Sequence, residues 1–499
     1  MLLLGIAILV GLLSCFVLWW IWIYTFWSRK GIHGPKPSLI FGNFPNYLNR
    51  NLIYDLDEIY KKYRGCPFVG IYALRKPKIF ITDPEFSRKI LVGNFRQFHN
   101  NEASDMVSLK SDPIIGLNPF FMRDEMWKST RQEITQGFSN IRVKAQFPIM
   151  ESSCHKMTNY LRSHVKSQGS RITVSEITRR YTNENLMNCI FGLEANAFDN
   201  NKAGSLQMFT DYLAEFWRID YFFMYSFIWP MFRSIYKYKI LNTRLKNFFV
   251  DMLKHGMAFR GENPGNREDF LAFLMQMREK KDTSMDEMLA HALTFILDGF
   301  ETSALVIDSI LYELSRNSRV QKKLRQVIED VRKSEGNLSF DTISDLPYLD
   351  QVMNETLRLH PPILFFLKQC NESMQVPFGN GSETKTFPKG ITAMMSMYSL
   401  GRDPVFYENP NDFHPERFDD GAVKDYRDKG VFVPFGDGPR ICIGMKFAIA
   451  QIKTAIVGIV RNFNLTLGTD MKEPLGLQKT FFGIPAQDIT VNFDPLSEE

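Results

Sequence analysis

The sequence predicts a mainly α fold of the α+β kind, a helical bulk with small β-sheets, led by one N-terminal transmembrane helix. Three observations predict it. Residues 1–27 contain no charged side chain. Most of the stretch 100–360 spaces its apolar residues by three and four, the period of a helix. Short β-rich runs lie at either end of that stretch, near 69–82 and after 363, where prolines multiply. Helices in bulk with small sheets set apart from them is the α+β arrangement.

Taken in order, the leading run exceeds the ~20 apolar residues that span a bilayer. Trp19, Trp20, Trp22, Tyr24 and Trp27 crowd its end like interfacial aromatics, and Arg29 and Lys30 follow. The positive-inside rule then places the rest of the chain in the cytosol. The run is too long for a signal-peptide core, has no basic segment before it and no small-x-small cleavage site after it. It is read as an uncleaved anchor over 1–27. Pro35 and Pro37 stiffen a hinge over 28–45. No further linker or repeat interrupts 46–499, so one large domain is expected there, although 499 residues would accommodate roughly three.

Composition excludes several classes. The net charge of +5 comes without a Lys/Arg block, which argues against nucleic acid. The six cysteines are scattered and form no CxxC pair, which argues against a disulfide framework or a zinc site.

Within the large domain, Val69–Tyr72 and Lys78–Thr82 read as two strands around a turn at Arg75-Lys76-Pro77. Asp83-Pro84-Glu85 then opens a helix. Trp127 and Arg131, four apart, share a helical face. Ser284-Met285-Asp286-Glu287 has the form of a capping box and opens a helix expected to reach Arg316, roughly 50 Å long. Inside it lies Leu297-Asp298-Gly299-Phe300-Glu301-Thr302-Ser303, where a mid-helix glycine costs about 1 kcal/mol and asks for a reason. Glu355 and Arg358 stand three apart on another helix, ahead of His360-Pro361-Pro362, and Pro415-Glu416-Arg417-Phe418 follows. Last comes Phe435-Gly436-Asp437-Gly438-Pro439-Arg440-Ile441-Cys442-Ile443-Gly444. Its glycines let backbone approach a flat ligand. It sets Cys442 near a helix N-terminus, where a sulfur is expected to be held as thiolate. Met445, Ala448, Ile449, Ile452, Ile456, Ile459, Val460 and Phe463 mark that helix.

This last segment fills every fixed position of Phe-x-x-Gly-x-Arg-x-Cys-x-Gly, and the chain resembles the cytochrome P-450 family, the haem-thiolate monooxygenases, over about residues 30–495. The resemblance implies the P-450 fold and a haem b cofactor with Cys442 as axial iron ligand, which favours O–O cleavage. It gives Arg440 a haem propionate, Phe435 the shielding of the sulfur, and Gly436 and Gly444 a place in the cofactor loop. Trp127 and Arg131 match residues that bind a propionate. Lys368 stands where the family usually has an arginine, so the charge is kept and the bidentate fork lost.

The 297–303 segment resembles the oxygen-activation motif, with Thr302 on the oxygen side and Glu301 refilling a proton relay. Asp298 departs from the Ala or Gly expected there. It either meets a basic or hydroxylated substrate or serves as a structural hydrogen-bonding residue. Glu355, Arg358 and Arg417 match a buried ion triad near the proximal side of the haem. Phe120, Phe121, Phe295, Phe300, Ile363, Phe366 and Phe481 match segments that line the substrate cavity, implying a bulky apolar substrate. The aromatic stretch from Phe216 to Phe232 either dips into a membrane or forms a buried helix pair.

The wording of these motifs is most like that of insect microsomal members. The function implied is monooxygenation of lipophilic compounds at the endoplasmic reticulum, in detoxification or in hormone and lipid metabolism. NADPH-cytochrome P-450 reductase is the implied electron donor, with cytochrome b5 as a further partner; Lys128, Lys446 and Lys453 are candidates for docking an acidic reductase. Two other classes stand beside it: a haem-thiolate isomerase or dehydratase that needs no external electrons, and a non-catalytic membrane haem carrier or sensor.

Overall fold

The uncharged leading run forms one continuous helix, Leu2–Tyr24. Its segment Leu3–Tyr24, of mean hydropathy 2.5, is long and apolar enough to cross a membrane and is not buried against the rest of the protein. The structure is a computed structural model and describes residues 2–110, 112–199, 239, 241–262, 267–378 and 383–497. The aromatic stretch Phe216 to Phe232 lies outside the described residues.

The hinge is fastened rather than free. Trp27 is buried and its Nε1 donates to the Ile71 carbonyl at 3.0 Å. The Tyr72 amide donates to Asn43 Oδ1 at 2.7 Å. The Arg75 guanidinium lies 4.6 and 4.8 Å from the Trp19 and Trp20 ring centres, and Trp20 Nε1 donates to the Leu39 carbonyl at 2.5 Å. The end of the anchor, the hinge and the first hairpin therefore pack together.

That hairpin is the expected pair of strands, Phe68–Ala73 antiparallel to Lys76–Ile81, with Phe68 opposite Ile81. Lys76–Ile81 runs parallel to Thr392–Ser396, which pairs antiparallel with Phe365–Gln369, and Asn100–Asn101 closes the edge. This five-stranded sheet carries Lys368 toward the helical bulk.

The capping box is formed: the Glu287 amide donates to Ser284 Oγ and the Ser284 amide to Glu287 Oε2, at 3.2 and 2.9 Å. The helix it opens does not run unbroken to Arg316. It ends at Gly299 and resumes as Glu301–Arg316, with Phe300 at φ −78° and ψ −73° between them. The carbonyls at the break take side-chain donors. Thr302 Oγ1 donates to the Asp298 carbonyl at 2.6 Å, and Gln451 Nε2 to the Gly299 carbonyl at 3.3 Å. Side chains inserted into the backbone ladder are an ordinary cause of a kink. Met285–Arg316 is apolar enough to cross a membrane, but 83% of its most apolar window is buried inside the domain, which makes it a core element.

Its second half packs on the helix Met445–Asn462. Val306, Ile307, Ile310 and Leu311 share a core with Ile452, Ile456, Ile459 and Val460. Each fully buried side chain of this kind contributes roughly 1.5–3 kcal/mol. This packing holds the two faces of the candidate site at a fixed separation.

Candidate active site

Cys442 is placed by its loop. Gly436 and Gly438 take φ of +74° and +67°, and a Cβ on Gly438 would meet the Leu91 carbonyl oxygen at 2.3 Å. The Cys442 amide donates to the Phe435 carbonyl at 2.8 Å, which closes the loop under the sulfur. The helix Met445–Asn462 starts just beyond, with Gly444 as its cap. Cys442, Phe435, Gly436, Arg440 and Gly444 all line one interior cavity of about 340 Å³.

The opposite wall is the broken helix. Phe295, Asp298, Gly299 and Thr302 line the same cavity, as do Phe120, Phe121, Ile363, Phe366 and Phe481. One expected wall residue is elsewhere, and the expected relay residue does not face the cavity. Phe300 is buried in the core with Phe295, Leu293 and Phe249, because the kink turns its side chain away from the cavity. Glu301 is also buried and does not line the cavity; its carboxylate takes a bidentate pair from Arg179, with Oε1 2.6 Å from Nη2 and Oε2 3.2 Å from Nε. Arg179 retains partial solvent exposure.

The electrostatics of the cavity are uneven. Asp298 and Cys442 have accessible surface only because they open on the cavity, and protein surrounds both. Burial pushes the Asp298 carboxyl up to about 7, against the pull of the Asn118 amide and the more distant Arg131 charge. Burial, with Asp298 adding to it, pushes the Cys442 thiol up to about 11, while the Gly444 amide and Arg131 pull it down. Burial thus opposes the thiolate, the Gly444 amide and Arg131 favour it, and a bound metal cation would favour it further.

Three cations meet on one side. Lys368 Nζ donates to Asn101 Oδ1 at 2.8 Å. Arg440 stacks 4.1 Å from the centre of the Trp127 ring and donates to the Pro119 and Met122 carbonyls at 3.0 Å. Arg131 Nη2 donates to the Ile441 carbonyl at 2.5 Å. Burial and the neighbouring Arg440 charge push Lys368 down to about 7; burial and Arg131 push Arg440 down to about 9; burial lowers Arg131 as well. None of the three is in an ion pair among the described residues. A cluster of buried cations that lower one another's affinity for protons fits a ligand bearing carboxylates. Together with one sulfur, a glycine loop and aromatic walls, the site fits a flat metal macrocycle with acidic side arms, as haem is.

Behind the cavity Glu355, Arg358 and Arg417 come together as the spacing implied. Arg358 Nε and Nη2 each lie 2.7 Å from a Glu355 oxygen, and Arg417 Nε lies 2.9 Å from Oε1. Glu355 and Arg358 are fully buried. A Cβ on Gly401 would stand 2.4 Å from the Arg358 carbonyl oxygen, so that position admits no side chain without movement. Of the candidate docking lysines, Lys128 and Lys446 are exposed. Lys453 is not available: it is buried and donates to the Ser344 carbonyl and Asp350 at 2.6 and 2.8 Å.

Sequence reasoning missed Asn118, Arg179 and Gln451. Asn118-Pro119 carried only a turn signal, and Arg179 and Gln451 act on residues more than a hundred positions away.

Comparison with known proteins agrees with this geometry. A sequence profile described as Cytochrome P450 matches residues 32–493. The chain is 35% identical over 473 residues to a Drosophila melanogaster protein named probable cytochrome P450 28a5, covering 93% of this chain and 92% of that protein. It is 34% identical over 486 residues to probable cytochrome P450 28d1 of the same organism, covering 96% of each. It is 33% identical over 466 residues to probable cytochrome P450 309a1, also from Drosophila melanogaster, covering 91% of each.

Proposed function

Because this chain belongs to the cytochrome P450 family, whose members are haem-thiolate monooxygenases, we propose that it is a membrane-anchored monooxygenase of lipophilic compounds. The observation that supports this best is one cavity holding Cys442 on one wall, Thr302 on the other and, at the side, Arg131, Lys368 and Arg440, none of them in an ion pair among the described residues. In this reading Cys442 supplies the thiolate ligand and Arg131, Arg440 and Lys368, with Trp127, hold the propionates. Bound haem supplies the activation of O2 that puts one oxygen atom into the substrate.

The remaining work belongs to the chain. Phe120, Phe121, Phe295, Ile363, Phe366 and Phe481 exclude water and orient an apolar molecule. Thr302 offers a hydroxyl at the cavity face, now donated to the Asp298 carbonyl. Glu301 is the next residue in the helix, and its carboxylate pairs with the partly exposed Arg179. That order suits a proton path inward. The Glu355–Arg358–Arg417 triad fixes the segments on which the proximal loop rests.

In this reading residues 1–27 are the anchor, 28–45 the hinge and 46–499 the catalytic domain, held on the endoplasmic reticulum membrane with the domain in the cytosol; the apolar, unburied helix Leu3–Tyr24 supports it. Electrons come from NADPH through cytochrome P-450 reductase, with cytochrome b5 as a second donor, and Lys128 and Lys446 offer exposed charge for docking.

The test is the reduced, carbon monoxide-bound spectrum of the purified chain. The red-displaced Soret band of thiolate coordination is expected, and Cys442→Ser loses it. Haem-loaded protein without that band overturns the assignment. Turnover that requires NADPH and the reductase separates the monooxygenase from an isomerase or a carrier.

A further inference from the structure

One buried amide joins the two helices that face each other across the site. Gln451 belongs to the helix Met445–Asn462, which starts just beyond the sulfur loop, and it has no exposed surface. Its backbone carbonyl accepts the Tyr181 hydroxyl at 2.9 Å, which fixes that turn of the helix. Its side-chain Nε2 donates to Ser303 Oγ at 2.7 Å and to the Gly299 carbonyl at 3.3 Å. A carbonyl only accepts, so the amide must present its nitrogen to Gly299, and the two hydrogens of one NH2 group serve the two acceptors.

Gly299 and Ser303 are four residues apart, the interval that an unbroken helix closes with its own N–H to C=O bond. Here they stand on opposite sides of the break, one helix ending at Gly299 and the next beginning at Glu301. Gln451 spans that interval from outside. The Thr302 hydroxyl occupies the Asp298 carbonyl in a similar way, but Thr302 belongs to the broken helix and moves with it. Gln451 is fixed to another element and holds the break relative to that element. Gly299, Thr302 and Ser303 all line the cavity that Cys442 lines, so whatever keeps this interval open also shapes that wall. Without the Gln451 NH2 the Gly299 carbonyl loses its donor, and enclosed acceptors without one are costly. The donor that a continuous helix supplies at this position is the Ser303 amide.

We infer that Gln451 is a positioning residue that holds the Thr302 wall open at its break, so that the gap between that wall and Cys442 is set by a bond from the helix of the sulfur loop. This rests on the monooxygenase reading for its purpose and on the two hydrogen bonds for its geometry. Gln451 acts through Gly299 and Ser303, and Thr302 between them carries the hydroxyl of the proton path. The two walls are tied: a shift of the cysteine helix carries the break with it.

The experiment is amide hydrogen exchange of the haem-loaded full chain, read by mass spectrometry over residues 297–304. It compares the unmutated protein with Gln451→Met, which keeps the length of the side chain and removes the donor. Exchange at Ser303 is expected to slow about fivefold, the effect of one backbone hydrogen bond gained as the break closes. A residue that only filled the core would give the opposite sign, faster exchange through local loosening. The infrared C–O stretch of the carbon monoxide complex, which senses the wall facing the sulfur, is expected to shift in the same variant while the thiolate Soret band is kept. Unchanged or faster exchange at Ser303, or an unmoved stretch, overturns the inference. Should Gln451→Met fail to take up haem, Ser303→Ala decides. It removes the shorter of the two bonds, and slower exchange at position 303, corrected for the changed side chain, is expected there too; unchanged or faster exchange overturns the inference. If the thiolate band is missing from the unmutated chain, it is the monooxygenase reading that fails, and the exchange rates still judge the clamp.

Discussion

Asp308 sits six residues past Thr302 in the helix Glu301–Arg316, with its carboxyl enclosed by protein. It accepts the Thr178 hydroxyl at 2.6 Å, and burial pushes its pKa up to about 7 despite that bond and the Arg179 charge. In an unfolded chain an aspartate titrates near 3.9. The folded state therefore binds the extra proton, and the stability it contributes is fully present below about pH 4 and is lost as pH rises through about 7. At about 1.4 kcal/mol per pH unit the upper bound is about 4 kcal/mol. Asp308→Asn keeps an acceptor for Thr178 and removes the titration. Its urea midpoint is expected to vary less between pH 4 and 8 than that of the unmutated chain. Parallel curves for the two proteins would remove Asp308 from the pH response.

At the scale of elements, the ion triad joins the helix Pro347–Leu359 to the segment around Arg417. Arg358 also donates to the Pro410 and Asp412 carbonyls at 2.7 and 3.2 Å, so one guanidinium fastens several loop carbonyls. Arg358→Ala takes the bidentate partner from the buried Glu355 charge and leaves it Arg417 alone, at a cost of about 3–5 kcal/mol. Little haem-loaded protein is expected from that variant; normal haem content, measured by pyridine haemochrome, would show that the triad does not support the site. The triad and the cysteine loop were legible in the sequence because their residues lie at fixed short spacings or in one contiguous signature. The hairpin and the capping box were legible for the same reason. The break at Phe300 was not, since it depends on Gln451 reaching across from another helix. The Glu301–Arg179 pair and the Asn118–Asp298 juxtaposition depend on tertiary placement as well. Lys453 shows the converse error: a basic residue near the proximal loop looks like surface charge until the packing buries it against Asp350.

At the scale of the whole molecule, the end of the apolar run is part of the packed core. Trp27 and Ile32 are each 2% exposed and belong to the core around the first sheet. A chain lacking residues 2–18, which keeps Trp19 and Trp20, is expected to keep the thermal stability of the full chain, measured in the same detergent. A chain lacking 2–32 also loses two core side chains and is expected to be less stable by about 3–5 kcal/mol, the usual cost of removing a buried tryptophan. Equal stabilities would place Trp27 outside the cooperative unit. The clasp of Arg75 on Trp19 and Trp20 has a geometric corollary. A helix turns about 100° per residue, so these rings meet the guanidinium at only one rotational setting of the anchor. The first helix is thus keyed to the hairpin like a shaft in a slot, and a bilayer that took up this helix would meet the cavity at a bearing set by the phase of the helix rather than by the length of the proline segment.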